Sequence, residues 1–129
     1  MVINLKNSAL VWFVGVFSQL DLYSEDISTA VLNRNLINTI CSSYSTVYCL
    51  ICVKNKDEQF LFEKLVSDDS NLKKCKFIFL PYVNFKQVLI DCPSLGTVST
   101  FIDSNSTRLW TMKSINPNVE CLHISKFIN

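Results

Sequence analysis

The most constraining feature of this sequence is an unbroken apolar run of strand length, Thr46–Val53. Runs of this kind are typical of parallel strands covered on both faces, because a solvent-exposed face would require alternating polar residues. Apolar residues also recur at helical spacing on both sides of the run: Ile27, Val31, Leu36 and Ile40 before it, and Phe60, Leu61, Leu65 and Val66 after it. The sequence therefore predicts a buried strand between two helices that cover a sheet.

Further segments rich in β-branched and aromatic residues predict more strands: Ala9–Phe17, Cys75–Leu80, Val98–Ile102 and Val119–Ile124. Phe85–Ile90 is predicted to be a helical turn running into a strand. Neither a helix nor a strand is predicted for the polar segment 104–114. Strands that alternate with helices predict an α/β fold, here a three-layer αβα (Rossmann-like) domain whose mainly parallel sheet has about five strands. Residues 1–129 are interpreted as a single domain, either complete or shortened from a larger one.

Three counts narrow the function more than the overall composition does. The chain has two glycines, one histidine and a formal net charge of +1. Two glycines disfavour a glycine-rich phosphate loop, and one histidine disfavours a multi-histidine metal centre. A nearly neutral chain offers no strong field for a nucleic-acid backbone. The counts favour a binding or scaffolding domain without a cofactor over an enzyme.

The six cysteines are predicted to be reduced core residues, because most of them adjoin apolar runs. Cys49 and Cys52 lie three apart within the predicted strand and should face opposite sides of the sheet, which disfavours a redox pair. A zinc site is disfavoured because no second pair of ligands accompanies them. Reduced cysteines predict an intracellular protein of the nucleus or cytoplasm. The apolar run Ala9–Phe17 is too short to span a bilayer, so no membrane contact is predicted.

Acidic side chains near the predicted strand ends are the first candidates for chemistry. In an open parallel sheet, ligands bind at the carboxyl ends of the strands, where Asp57, Asp91 and Asp103 could converge as metal ligands for phosphoester hydrolysis. The interpretation we favour is that these carboxylates cap helices and turns, since no histidines accompany them. His123, on the predicted last strand, is expected to be hydrogen-bonded or at an edge rather than catalytic.

Lys73, Lys74 and Lys76 form a small basic cluster just before and within the third predicted strand. A cluster of this size is most often a solvated loop, particularly with Asp68 and Asp69 nearby. The alternative is a weak nucleic-acid contact, which depends on phosphate neutralisation by these lysines.

Several strand-end segments resemble DHH-type (RecJ-like) phosphoesterases. Residues 47–58 resemble the first strand and loop of that family, and residues 97–104 are similar to the strand that ends in its Asp-His-His motif. Residues 77–88 resemble the strand, proline and aromatic turn of a catalytically silent relative, the eukaryotic cell-division-cycle replication factor of the replicative helicase. Residues 119–124 correspond to the following strand. The resemblance covers roughly residues 35–125.

The resemblance implies a degenerate site made of Asp57, Asp103, Ser104 and Asn105. Asp103-Ser104-Asn105 stands where active members carry Asp-His-His, and only Asp103 is retained. The implied function is therefore a non-enzymatic interaction domain in DNA replication, with the MCM and GINS subunits of the helicase as protein partners. Two alternatives remain open: a macrodomain-like accessory domain of a virus or parasite that binds protein or RNA, and a metal-dependent phosphoesterase.

Overall fold

A computed structural model describes residues 8–19, 31–53, 55–80 and 84–128. The strands, in chain order, are β1 (Ser8–Trp12), β2 (Ser18–Gln19), β3 (Val31–Leu32), β4 (Thr46–Cys52), β5 (Lys76–Leu80), β6 (Thr100–Asp103) and β7 (Glu120–His123). The helices are α1 (Arg34–Ser43), α2 (Lys56–Val66), α3 (Phe85–Asp91) and α4 (Ser106–Ile115). Short 3₁₀ turns occupy Leu72–Lys74, Pro93–Thr97 and Ile124–Phe127.

The central feature is a five-stranded parallel sheet with the order β5-β4-β1-β6-β7. β1 lies in the middle, where Val11 pairs with Cys49 of β4 on one side and with Ile102 of β6 on the other. The chain builds outwards from β1 through β4 to β5, then returns to the other side of β1 for β6 and β7. The predicted α/β class with a parallel sheet is confirmed.

Two separate cores show that helices cover both faces of this sheet. Leu10 and Val11 are neighbours in β1 and point to opposite faces. Val11 belongs to the core that contains Ile40 of α1 and Phe62 of α2. Leu10 belongs to the core that contains Val88 of α3 and Met112 of α4, among others. The molecule is therefore a three-layer αβα sandwich, with α1 and α2 on one side and α3 and α4 on the other.

Each of these four helices begins after an asparagine: Asn33, Asn55, Asn84 and Asn105. In each case the side-chain oxygen accepts a hydrogen bond from a backbone N–H in the first turn, which satisfies one of the helix's unpaired donors. The caps fix where the chain turns from strand to helix.

The structure corrects two of the element predictions in the first half of the chain. The first strand ends at Trp12 instead of Phe17, because Gly15 adopts a left-handed backbone (φ +93°) and the chain turns back. The helix before β4 begins only at Arg34, because Val31 belongs to the antiparallel pair β2–β3 and is exposed. Ile27, the first residue of the predicted helical stripe, lies outside the described residues.

Two further corrections concern the second half. Phe85–Asp91 is a helix, and its chain continues into a 3₁₀ turn instead of a strand. The polar segment after Asp103 forms α4, which sequence periodicity did not indicate because Met112 is buried in it while the large apolar Trp110 is exposed. α3 and α4 pack against each other, and α4 also packs against β7.

The cysteines are free thiols, and Cys49 and Cys52 lie on opposite faces of β4 as predicted. Cys49 is buried in the core beneath α1 and α2, whereas Cys52 contacts the core beneath α3 and α4. None of the helices in the described ranges is long and apolar enough to cross a membrane.

Candidate functional site

The candidate site lies at the carboxyl ends of β1 and β6. The order of strands reverses between these two neighbours, because the chain leaves β1 towards β4 and later returns on the side of β6. In doubly wound sheets the crevice above such a reversal is where ligands bind. The side chains that follow β1 and β6 therefore decide what this sheet could do.

Asp103, the last residue of β6, is fully buried and accepts hydrogen bonds from four donors. Arg108 of α4 holds it with two: Nε lies 2.6 Å from Oδ2 and the Nη2 atom lies 3.0 Å from Oδ1. The backbone N–H groups of Ser104 and Asn105 also donate to Oδ1, at 2.7 and 3.1 Å. The carboxylate is thus the centre of a bidentate ion pair closed by backbone donors.

Aromatic stacking fixes the other side of the Arg108 guanidinium. Its central carbon lies 4.2 Å from the centroid of the Trp12 ring, at the end of β1. Trp12 in turn meets Phe85 edge to face, and Phe85 stacks on Phe101 of β6. Arg108 is therefore held between a buried carboxylate and an aromatic face, which is an arrangement suited to a planar cation.

The turn after β1 is apolar and closes against the turn after β6. Phe13, Val16 and Phe17 of this turn are buried. A Cβ atom added at Gly15 would lie 2.6 Å from Ser104 Oγ, so a larger residue at position 15 would require Ser104 to move. The turn of the central strand, from Phe13 to Phe17, consists of apolar residues and glycine and offers no side-chain acid, base or nucleophile.

Substituting Gly15 by alanine is expected to lower the free energy of unfolding by about 1–3 kcal/mol, because the new methyl group meets Ser104 and the left-handed backbone is unfavourable for alanine. Urea denaturation measures the change. Adding Ser104→Ala to the variant should restore part of the loss, since it removes the contacting hydroxyl but not the backbone strain. Wild-type stability of the single variant would contradict the close approach.

The structure brings together three of the four residues of the proposed degenerate site. Asp103, Ser104 and Asn105 are adjacent, and Asn105 caps α4 through the backbone N–H of Arg108, 2.9 Å away. Asp57 lies in the first turn of α2, after β4, and the whole of β1 separates β4 from β6 in the sheet. Asp57 is exposed, and its negative charge stabilises the N-terminus of α2.

The other acidic candidate and the histidine have structural partners. Asp91, the last residue of α3, accepts a hydrogen bond from Gln87. His123 lies on the edge strand β7, where Nδ1 accepts the backbone N–H of Ser125 and Nε2 donates to the Ser104 carbonyl, 3.2 Å away. Across the four described ranges, no three His, Cys, Asp or Glu residues come together in a way that could hold a metal ion.

The predicted basic cluster lies away from this crevice. Lys73 and Lys74 are in the 3₁₀ turn before β5, and Lys76 is its first residue, with its ammonium 5.7 Å from the Tyr48 ring centroid. All three are exposed. Because the five strands of the central sheet run parallel, the amino end of β5 is at the opposite end of the strands from Asp103.

Sequence reasoning missed Arg108 and Trp12, which complete the site. The signal was present in the spacing: an aspartate at a strand end, a capping asparagine two residues later, and an arginine in the first turn of the following helix. That spacing places the arginine where it can reach back to the aspartate. Trp12 carried no local signal, because only the strand order makes it a neighbour of α4.

Comparison with known proteins adds no family to this picture. No protein-family model matches the chain, and no curated protein sequence matches it.

Proposed function

We propose that this chain is a non-catalytic α/β interaction domain. The observation that carries the proposal is the state of Asp103, whose two carboxylate oxygens already accept four hydrogen bonds from Arg108 and two backbone N–H groups. A carboxylate that binds a metal ion or moves a proton needs a lone pair directed at its substrate or metal. Here the same groups join β6 to α4, so the role of the ion pair is structural.

The apolar turn after β1 supports the same proposal. Catalytic sites of doubly wound sheets use side chains or backbone donors at the ends of strands near the reversal point. Phe13, Val16 and Phe17 are buried there, and Gly15 lies next to Ser104. The turn from Phe13 to Phe17 therefore supplies no catalytic side chain at this point.

The surface proposed for a protein partner is the outer face of α3 and α4, which pack against each other. Trp110 of α4 is 71% exposed, and Ile90 at the end of α3 is also exposed. Exposed large apolar side chains on one layer mark interaction surfaces, and tryptophan is enriched among residues that dominate binding energy.

The partner class we propose comes from the sequence resemblance alone. If the chain is a silent member of the DHH-type family, its partners are the MCM and GINS subunits of a replicative helicase. Their surfaces would then bury Trp110 on assembly.

Retention of the purified protein by immobilised MCM and GINS subunits tests this proposal. Binding is expected, and Trp110→Ala should weaken it at least tenfold, because loss of a buried aromatic anchor costs about 2 kcal/mol or more. Phe60→Ala is the matched control: it removes an exposed aromatic from α2, on the opposite face of the sheet, and should leave binding unchanged. A monomer that ignores both partners would refute this partner class.

Hydrolysis assays with Mn²⁺ and a panel of nucleotide phosphoesters test the non-catalytic part separately. No hydrolysis above background is expected. Manganese-dependent hydrolysis that disappears in Asp103→Ala, with the folded state verified by circular dichroism, would overturn the proposal in favour of a phosphoesterase.

The exposed lysines at the amino end of β5 favour a second candidate, a macrodomain-like accessory domain that binds RNA. A salt-sensitive shift of G-rich RNA that weakens in a Lys73→Glu and Lys74→Glu variant would support it, because phosphate contacts depend on counterion release. The matched control is Lys86→Glu, which changes an exposed charge of α3 on the other side of the sheet. Lys113 of α4 is less suitable as a control, because it donates hydrogen bonds to the carbonyls of Pro117 and Val119.

A further inference from the structure

A polar seam joins α1 to the segment 69–75 that leads into β5. Arg34, Asn38 and Cys41 follow one another at the spacing that places residues on one helical face. Each contacts a residue of the facing segment: Arg34 with Asp69, Asn38 with Asn71, and Cys41 with Cys75. The seam therefore holds α1 against the chain that carries Lys73 and Lys74.

The last contact of this seam, in the last turn of α1, is between two thiols. The sulfur atoms of Cys41 and Cys75 are 3.7 Å apart, and the thiol of Cys75 also reaches the carbonyl of Asn71, 3.5 Å away. Cys41 is half-buried, whereas Cys75 is buried. Cys49 of β4 lies close enough to interact with Cys75. Two thiols at contact distance need only a small side-chain movement to reach bonding distance.

We propose that Cys41 and Cys75 form an intramolecular disulfide when a peroxide reaches the protein. The more exposed Cys41 sulfur, as thiolate, attacks one peroxide oxygen; the O–O bond breaks, and the leaving hydroxide takes a proton to become water. The sulfenic acid formed on Cys41 is then attacked by Cys75, so that the S–O bond breaks, the S–S bond forms and a second water leaves. Two thiols are oxidised and one peroxide is reduced.

The surroundings of the pair make this reaction slow near neutral pH. The hydrogen bond with Cys75, burial and the nearby Asp69 raise the pKa of the Cys41 thiol, and Lys74 opposes them. Contact with Cys41 lowers the pKa of Cys75, but contact with Cys49 and burial outweigh it and raise that pKa to about 12. Because the thiolate is the nucleophile, the rate of disulfide formation should increase as the pH is raised. The disulfide between Cys41 and Cys75 should therefore form only under sustained exposure to the oxidant.

The consequence of the disulfide is a covalent link between the last turn of α1 and the entry to β5. A cross-link between residues 41 and 75 restricts the unfolded chain, so the oxidised protein should have a higher melting temperature than the reduced protein. Dithiothreitol should reverse the change.

The test treats fully reduced protein with hydrogen peroxide, alkylates it under denaturing conditions, and maps the peptides by mass spectrometry. The number of free thiols should fall from six to four, since one disulfide consumes two, and a peptide pair linking Cys41 to Cys75 should appear and vanish on reduction. The linked peptide is identified in the wild-type protein, so the result does not depend on any variant folding.

Two variants complete the experiment. Cys92→Ser removes an exposed thiol and should still lose two thiols to the same linkage. Cys41→Ser should retain all five of its thiols under the same treatment. A linkage of Cys75 to Cys49, dimers joined through Cys92, or six thiols left after treatment would each overturn the proposal.

Discussion

Replacing Arg108 by methionine is expected to lower the free energy of unfolding by about 3–5 kcal/mol, because removal of one partner leaves a charge buried without compensation. Asp103 is fully buried, and Arg108 supplies both of its side-chain hydrogen bonds. Methionine keeps much of the apolar stem of Arg108, so the loss reports the guanidinium: its charge, its hydrogen bonds and its stacking on Trp12. Urea denaturation at neutral pH measures the change.

The ion pair between Arg34 and Asp69 supplies a matched control. Arg34 contacts Asp69 at 2.8 Å, but the Arg34 side chain is 67% exposed, compared with 25% for Arg108. Asp69 is itself only 7% exposed, but it accepts one hydrogen bond from Arg34 where Asp103 accepts two from Arg108, so Arg34→Met should cost less than Arg108→Met, about 1–2 kcal/mol. Adding Asp103→Asn to Arg108→Met should recover part of the loss, because no buried charge remains. Equal losses for Arg34→Met and Arg108→Met would contradict the structural role of the Asp103 pair.

Truncating Phe62 to alanine is expected to cost about 3–5 kcal/mol, the range for a large aromatic removed from a core. Phe62 has no exposed surface, and its ring meets Phe13, Phe77 and Phe79 edge to face at centroid distances of 4.8, 5.2 and 5.7 Å. The cavity would open between α2, β5 and the turn after β1, where the surroundings cannot collapse easily. Thermal and urea denaturation give the loss.

Phe60 tests whether the effect comes from burial. It lies two residues earlier in the same helix and is 58% exposed, with Lys64 over its ring. Phe60→Ala should change the free energy of unfolding by less than about 1 kcal/mol, because surface substitutions remove few contacts. Similar losses at both positions would mean that the register of α2 is wrong.

The sheet was predictable because its strands carry continuous apolar runs. Thr46–Val53 was predicted as a covered parallel strand, and β4 occupies Thr46–Cys52 with neighbours on both sides. The same reasoning extended the first strand to Phe17, since an apolar turn buried in a core has the composition of a strand. Only the backbone conformation of Gly15 and its contact with Ser104 end β1 at Trp12.

Whether a helix could be predicted depended on the periodicity of its apolar residues. The stripe after Thr46–Val53 predicted α2, whereas α4 was missed because its exposed face carries Trp110 and its buried face carries Met112. Its capping asparagine, Asn105, was instead assigned to a degenerate catalytic motif. Ser104 and Asn105 are compatible both with a degenerate catalytic motif and with the start of a helix. Only the position of α4 shows that Asn105 is its cap.

The sequence by itself determined the layers of this protein, since local apolar patterns state which segments must be covered by others. It also placed Asp103 at a strand end, together with Ser104 and Asn105. The tertiary structure decided which strands are neighbours, and with that the chemistry of the carboxylate. Arg108 is close enough in sequence to reach Asp103, but Trp12, which covers the guanidinium, is distant along the chain and arrives only through the order of β1 and β6. Strand order is a non-local property, because it depends on the summed packing of all layers, and no short segment encodes it.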